Sequence, residues 1–369
     1  MSRIIGLMSG SSLDGLDIVD VEFVEKNNNW TFVIHHALTI PYTDEWYEKL
    51  SNAMNLDTRS YLLLTTSYGS YIGDCINEFI KQFSINKSDI DLICSHGHTV
   101  YHEPSNRMTS QIGDGASIVA RTNLRVVNDL RSMDVALGGQ GAPIVPIGEK
   151  YLFSNYRLLL NIGGITNISV QNKDGKYIAF DICPANRILN KLAKNQDETY
   201  KYDDRGKLAS SGVINQNLLN DLNQLDYYKK SYPKSLSNSF GLDTVYPIIE
   251  NYAQMKTNDK LATYNEHIVV QIINAIQMVY ENENENFNNC KLLITGGGGH
   301  NDFLIERLIE ELKRSFMIQV YLPEANVIDY KEALIMAFIG LLRLQNKPNI
   351  LASVTGAEHD SVGGSLWSV

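Results

Sequence analysis

The residues best suited to chemistry in this chain sit in small polar turns. Gly10, Ser11, Ser12, Leu13, Asp14, Gly15, Leu16 and Asp17 lie between two apolar runs, Ile4–Met8 and Leu16–Val24. Glycines at both ends let backbone approach a ligand closely. The serine hydroxyls and neighbouring amides suit phosphate oxygens. Asp14 and Asp17 could hold Mg²⁺ through water, because that ion takes a few carboxylates together with substrate phosphates. Ser, Gly and Asp are also the ordinary residues of a tight turn. No Gly-x-x-x-x-Gly-Lys-Ser/Thr occurs, so a Walker-type phosphate loop is excluded. The logic recurs at Asn161–Asn167 with Gly163, Gly164 and Thr166. Two such turns at equivalent places could grip a phosphate chain through their amides.

Other candidates follow from residue type and position. Gly296, Gly297, Gly298 and Gly299 precede His300 and Asn301, between a predicted strand and a predicted helix that Asn301 could cap. Four consecutive glycines carry a large entropic cost; a flat adenosine lying on the backbone explains them, and a sharp strand-to-helix turn is the plain alternative. Asp181 closes a predicted strand in Phe180-Asp181-Ile182-Cys183-Pro184-Ala185-Asn186. There it could act as a general base or cap the helix that Pro184 could open; the residues alone support both. His96 and His98 alternate in Ser95-His96-Gly97-His98-Thr99 and suit hydrogen bonds to a sugar or a buried structural role better than a metal, since no cysteine or acidic cluster adjoins them. Gln111 and Asp114 join them as substrate-binding candidates. Arg131 is a candidate partner for an anionic substrate group or a structural ion pair. Glu332 opens a mostly apolar helical run, as a substrate contact or a charge favoured by the helix dipole.

The elements that must position these residues form a duplicated pattern. Ile4–Met8, Leu16–Val24 and Trp30–Thr39 read as three strands with turns between them. Arg157–Asn161, Asn167–Val170 and Tyr177–Asp181 repeat that plan. Helical patterns follow each set, at Glu45–Ala53 and Tyr61–Gln82, then at Ala185–Ala193 and His267–Tyr280. Further strands are predicted at Leu92–Ser95, Arg125–Asn128 and Lys291–Thr295, and helices at Asn301–Lys313 and Lys331–Arg343. This is an α/β pattern. The Gly- and Pro-rich stretch Ala136–Pro146 is the expected crossing between domains, giving 1–135, joined by 355–369, and 136–354. Two such units facing one another would leave a cleft for a ligand.

Bulk properties narrow the function classes. The chain has 369 residues, enough for two cores, with a net charge of −10 that argues against nucleic-acid binding. Its four cysteines form no CxxC pair, which argues against a zinc site or disulfide scaffold and fits a reducing compartment. No apolar run approaches a membrane span or signal peptide, so the cytoplasm is the expected location.

Together the motifs resemble those of the anhydro-N-acetylmuramic acid kinase family. The matching pieces are 6–17, 95–99, 111–114, Gly138-Gly139-Gln140-Gly141-Ala142-Pro143, 161–167, 296–301 and Val354-Thr355-Gly356-Ala357, in family order. The resemblance implies an actin-like ATPase fold of two ribonuclease-H-like domains, with ATP and Mg²⁺ as cofactors and a small anhydrosugar as substrate. It implies that water opens the 1,6-anhydro bridge while O6 takes the γ-phosphoryl group, with Asp181 as general base and Gly10–Asp17 at the ATP phosphates. It also suggests a homodimer and a place in cell-wall recycling. A kinase for another anhydrosugar such as levoglucosan, or a non-catalytic ATP-binding module, are the competing readings. The chain departs from the family's Thr-Gly-Pro-Gly-Asn at Ile182–Asn186. It departs from Pro-Lys-Ser-Thr-Gly-Arg-Glu at Pro233–Ser239, and from Gln at His98.

Overall fold

The structure is a computed structural model that describes residues 1–10, 13–27, 29–237 and 239–369. Its strands are β1 (Ser2–Ser9), β2 (Gly15–Lys26), β3 (Asn29–Pro41), β4 (Leu92–Ser95), β5 (His98–Glu103), β6 (Met108–Ile112) and β7 (Val126–Asn128). Then come β8 (Leu158–Ile162), β9 (Ile165–Gln171), β10 (Tyr177–Pro184), β11 (Lys291–Thr295), β12 (Gln319–Tyr321) and β13 (Ser365–Trp367).

The chain forms two compact units, one of Met1–Ser154 with Tyr330–Val369 and one of Asn155–Asp329. The sheet of the first runs β13-β7-β4-β1-β2-β3. There β1, β2 and β3 are antiparallel, β4 lies parallel to β1 and β7 parallel to β4. The sheet of the second runs β10-β9-β8-β11-β12, again antiparallel over its first three strands and parallel beyond. Counted from each unit's first strand, the two sheets share the order 3-2-1-4-5, and the first adds β13 at its edge, antiparallel to β7. Each unit thus opens with the three-stranded meander that the sequence pattern anticipates, parallel strands follow it, and the plan is duplicated.

Local physics accounts for the elements near the site. The strands β1, β4, β8 and β11 are almost continuously apolar because helices cover them. Helix Thr58–Gln82 starts at Asp57, whose side chain accepts from the amides of Arg59 and Ser60. Its buried residues Leu64, Tyr68, Ile72, Ile76 and Phe79 recur at helical spacing. Helix Ala325–Leu344 has non-helical backbone at Tyr330. Beyond it the helix lies against the first sheet at two glycines: a Cβ on Gly6 would stand 2.2 Å from the carbonyl oxygen of Ala333, and one on Gly340 2.5 Å from the Cβ of Cys94.

The units meet the chain at Ser154/Asn155 and Asp329/Tyr330, whereas the sequence suggested 135/136 and 354/355. The Gly- and Pro-rich stretch belongs to the first unit because Asp134 holds it there. The buried Asp134 carboxylate accepts from the amide of Gly141 at 2.7 Å and from the hydroxyl of Thr355 at 2.7 Å. The hairpin of β5 and β6 was absent from the sequence reading, its polar residues masking the alternation. Pro184 ends β10 rather than opening a helix, and the next helix is Asn186–Gln196.

Candidate functional site

Asp181 lies in β10, opposite Asn167 of β9, beside a bulge between Asp181 and Cys183. The helix that follows starts five residues on, at Asn186, so Asp181 caps nothing. Its carboxylate Oδ2 accepts from the amide of Leu236 at 2.9 Å. Its amide donates to the carbonyl of Lys234 at 3.2 Å, and its carbonyl accepts from the hydroxyl of Tyr227 at 2.8 Å. A strap of residues 234–236 therefore fixes both backbone and side chain. Burial pushes the Asp181 carboxyl above the usual aspartate range, and the Leu236 amide offsets only part of this. A partly buried carboxylate with a raised pKa, held at one oxygen, is equipped to take a proton from water. Sequence reasoning missed Tyr227, Lys234 and Leu236; the Pro233–Ser239 motif was a signal for the last two and nothing pointed to Tyr227. Asn238 of that motif lies outside the described residues.

The turn between β8 and β9 lies further along the same strand pair, within the second unit. The carbonyls of Gly163 and Gly164 accept from the amides of Asn186 and Ala185 at 3.0 and 2.9 Å, so the turn rests on the start of the following helix. A Cβ on Gly164 would meet nothing closer than 3.9 Å, which leaves room for a ligand above the turn. The glycine run packs on the same turn. Gly296 adopts φ +82, and a Cβ on Gly298 would stand 2.2 Å from Cγ2 of Ile162. Gly296 and Gly298 are thus required by packing. A Cβ on Gly297 or Gly299 would reach no protein atom within 3.4 Å, so those two glycines are unexplained by packing.

Two candidates on the second unit, Thr166 and Asn301, are corrected, and a third, His300, is engaged by a neighbour. Thr166 is fully buried, its hydroxyl enclosed beside the Cys183 thiol and without a hydrogen bond among the described residues, so it offers nothing to a nucleotide. Asn301 caps helix Asp302–Phe316 through the amide of Leu304 at 3.1 Å and donates to Asn265 at 3.1 Å, which commits its carboxamide to the protein. His300 pairs with Asp329 at 2.7 Å on the surface. The departure at Ile182 points into the core, where its side chain is 2% exposed, so the missing hydroxyl is replaced by packing.

In the first unit the turn between β1 and β2 spans Gly10–Asp14. Ser11 and Ser12 lie outside the described residues. Leu13 adopts φ +58, and its amide donates weakly to the carbonyl of Gly10 at 3.4 Å. Leu16 is core, 1% exposed, which corrects it as a ligand-facing side chain. Gly15 is needed for approach to β3, since a Cβ there would stand 2.6 Å from the carbonyl oxygen of Ile40. Asp14 is exposed, and Asp17 accepts from the hydroxyl of Thr39 at 2.6 Å. No group of three or more metal-ligating side chains occurs among the described residues, so a metal would rely on these carboxylates with phosphate oxygens.

A second cluster surrounds Arg131. Its Nε donates to Nε2 of His96 at 2.8 Å and its Nη1 to the carbonyl of Gly141 at 2.6 Å. Because a guanidinium only donates, His96 accepts at Nε2 and carries its proton on Nδ1, which donates to the carbonyl of Gly97 at 3.0 Å. Both ring nitrogens are spent, so His96 positions Arg131 instead of meeting a sugar. Burial, with the Arg131 charge beside it, pushes the His96 imidazole down to about 3. Burial also lowers Arg131 to about 10, against the opposing charges of Glu332 and Asp134, and it stays a cation at neutral pH. Glu332 sits beyond Tyr330 inside helix Ala325–Leu344, not at its start. It makes no hydrogen bond among the described residues, and burial raises its carboxyl despite Lys331 and Arg131. Asp114 instead caps helix Gly115–Thr122 by accepting from the amide and hydroxyl of Ser117. Gln111 donates to Thr109 at 2.8 Å and keeps a buried oxygen without a partner among the described residues.

The chain is similar to known proteins along nearly its whole length. Residues 2–368 match the sequence pattern of the family described as anhydro-N-acetylmuramic acid kinase. The chain is 34% identical over 385 residues to the anhydro-N-acetylmuramic acid kinase of Aliivibrio fischeri, across 100% of this chain and 99% of that protein. It is 32% identical over 369 residues to the protein of that name from Hydrogenovibrio crunogenus, across 98% and 97% of the two chains. It is 29% identical over 384 residues to that of Bacillus cereus, across 98% of each.

Proposed function

The chain belongs to the anhydro-N-acetylmuramic acid kinase family, and we propose that it hydrolyses the 1,6-anhydro bridge of anhydro-N-acetylmuramic acid while phosphorylating O6 from ATP. Asp181 takes a proton from water, whose oxygen bonds to the anomeric carbon as the bond from that carbon to O6 breaks. The electron pair stays on O6, which bonds to the γ-phosphorus as the bridge to ADP breaks. The products are N-acetylmuramic acid 6-phosphate and ADP. Water is a poor nucleophile, so a placed carboxylate is worth about 10²–10⁴ in rate, and phosphoryl transfer asks mainly for positioning and charge neutralisation. The observation that carries this reading is Asp181, which lies inside β10 beside a bulge and not at the strand end the sequence suggested, partly buried and pinned through one oxygen by Leu236.

The remaining roles follow the chemistry of each group. The β1–β2 turn, Gly10–Asp14, and the β8–β9 turn, Gly163 and Gly164, are each suited to bind phosphate oxygens of ATP. Gly297 and the run around it carry the adenosine. Mg²⁺, when bound with ATP, neutralises phosphate charge, and Asp14 and Asp17 would meet it through water. Arg131 takes the lactyl carboxylate of the sugar with the donors it keeps, and Glu332 accepts from a neutral polar group of that sugar. No helix among the described residues is long and apolar enough to cross a membrane, and the cytoplasm is the proposed location. The test is ADP release measured with and without anhydro-N-acetylmuramic acid, in the native chain and in Asp181→Asn. Sugar-dependent release that vanishes in the variant, with ATP binding retained, supports the reading; release indifferent to the sugar removes it.

A further inference from the structure

One polar chain in the first unit is used by none of the roles above. Tyr68 is fully buried, Ser9 is 3% exposed and His98 is 6% exposed. The hydroxyls of Tyr42 and Tyr68 lie 2.5 Å apart. That of Tyr42 donates to Oγ of Ser9 at 2.7 Å, and Oγ of Ser9 lies 3.0 Å from Nδ1 of His98. The phenols cannot swing, because Tyr42, Trp46, Tyr68 and Tyr71 pack ring against ring. Each hydroxyl has one proton. Tyr42 gives its own to Ser9, so Tyr68 supplies the bond between the two phenols. The Ser9 hydroxyl lies in reach of both the Tyr68 hydroxyl and Nδ1 of His98; where its proton goes to Nδ1, the His98 imidazole carries its hydrogen on Nε2. That Nε2 makes no hydrogen bond to any described residue and retains access to solvent.

We propose that His98 is a sugar-binding residue of this kinase, presenting Nε2–H as a fixed neutral donor to an uncharged oxygen of the bound anhydrosugar. The inference rests on the proposed function. Its placement comes from the chain itself. Ser9 ends β1 directly before the phosphate-binding turn, while His96, two residues before His98, holds Arg131. His98 is thus tied through Ser9 to the start of the phosphate-binding turn and lies two residues from the partner of Arg131. A buried imidazole, lowered to about 4, is neutral at physiological pH. A neutral N–H suits a sugar oxygen, whereas a polyphosphate would favour a cation. The corresponding family residue, Gln, is likewise a neutral donor. Unlike Gln, which can also accept, this imidazole can only donate while Ser9 holds its other nitrogen, so it selects for an acceptor.

The experiment uses the full chain, native and as His98→Leu, His98→Gln and Ser9→Ala. Steady-state KM is measured for each substrate, thermal melting checks folding, and ¹⁵N shifts of the His98 ring are recorded without ligand. Removing one neutral hydrogen bond predicts about a tenfold rise in sugar KM for His98→Leu, with ATP KM unmoved. His98→Gln recovers most of that loss, and Ser9→Ala mixes the two tautomers and raises sugar KM by a smaller factor. A native ring protonated on Nδ1 overturns the proposal, as does a folded His98→Leu with native sugar KM or with the loss in ATP KM. Should His98→Leu unfold, Ser9→Ala decides: unchanged sugar KM alongside mixed tautomers overturns the proposal. A native chain without sugar-dependent ADP release would instead fail the proposed function, whatever the tautomer.

Discussion

As the proposed general base, Asp181 would work only when ionised, and its surroundings oppose ionisation. Burial raises the Asp181 pKa, with the Leu236 amide pulling the other way. Activity is therefore lost as pH falls through that raised value, above the about 3.9 of an ordinary aspartate. A pH profile of kcat should show an acid limb shifted upward from the ordinary range. In Asp181→Asn, turnover should drop by about 10²–10⁴ and the residual rate should lose that limb; a limb that persists unchanged assigns it to another group. Arg131 raises a different question, since two of its bonds already go to His96 and Gly141. Arg131→Lys keeps the charge but not the planar fork. Its sugar KM should rise about tenfold for the lactyl-bearing substrate and little for levoglucosan, and equal effects on both would discard the carboxylate role. Asn301 and His96 look like ligand groups by type, yet both spend their polar atoms inside the protein, and Thr166 is enclosed in the core. Residue type and spacing reveal what a side chain could bind, not whether packing has already claimed it.

At the scale of elements, glycines separate structural need from ligand need. Gly298 must be glycine because Ile162 occupies the space a Cβ would take. Gly298→Ala should therefore displace the β8–β9 turn and lower stability by about 1–3 kcal/mol, the usual range for overpacking. Gly297 has no such neighbour, its nearest atom to a Cβ being Nδ2 of Asn186 at 3.6 Å. Gly297→Ala should leave the melting temperature unchanged and weaken ADP binding about tenfold by calorimetry, if adenosine lies on that backbone. Native ADP affinity in a folded Gly297→Ala would free the run from any nucleotide role. The strands that carry these turns were readable because alternation and small turn residues are local signals. The β5–β6 hairpin was not, because its exposed polar face breaks the alternation, and neither were the short edge strands β12 and β13.

At the scale of the whole molecule, the duplicated strand order was legible while the limits of the two units were not. Glycine and proline at 136–146 look like punctuation. What ties that stretch to the first unit is Asp134 bonding Thr355, a contact between residues remote in sequence. The same is true of a buried ion pair near both places where the chain passes from one unit to the other. Lys331, next to Tyr330, donates to Glu149 at 2.8 Å, and the side chains are 4% and 3% exposed. The second oxygen of Glu149 has no partner among the described residues. Desolvating two charges costs about as much as their attraction returns, so the pair itself adds little stability, but a lone survivor is expensive. Lys331→Met should thus destabilise the protein by about 3–5 kcal/mol in urea unfolding, because the Glu149 carboxylate is left buried and alone. The double variant Lys331→Met with Glu149→Leu should regain most of that loss. A double variant as unstable as the sum of its singles would show that the two side chains act independently, and that this buried pair does not hold helix Ala325–Leu344 to the helix at Pro146–Leu152.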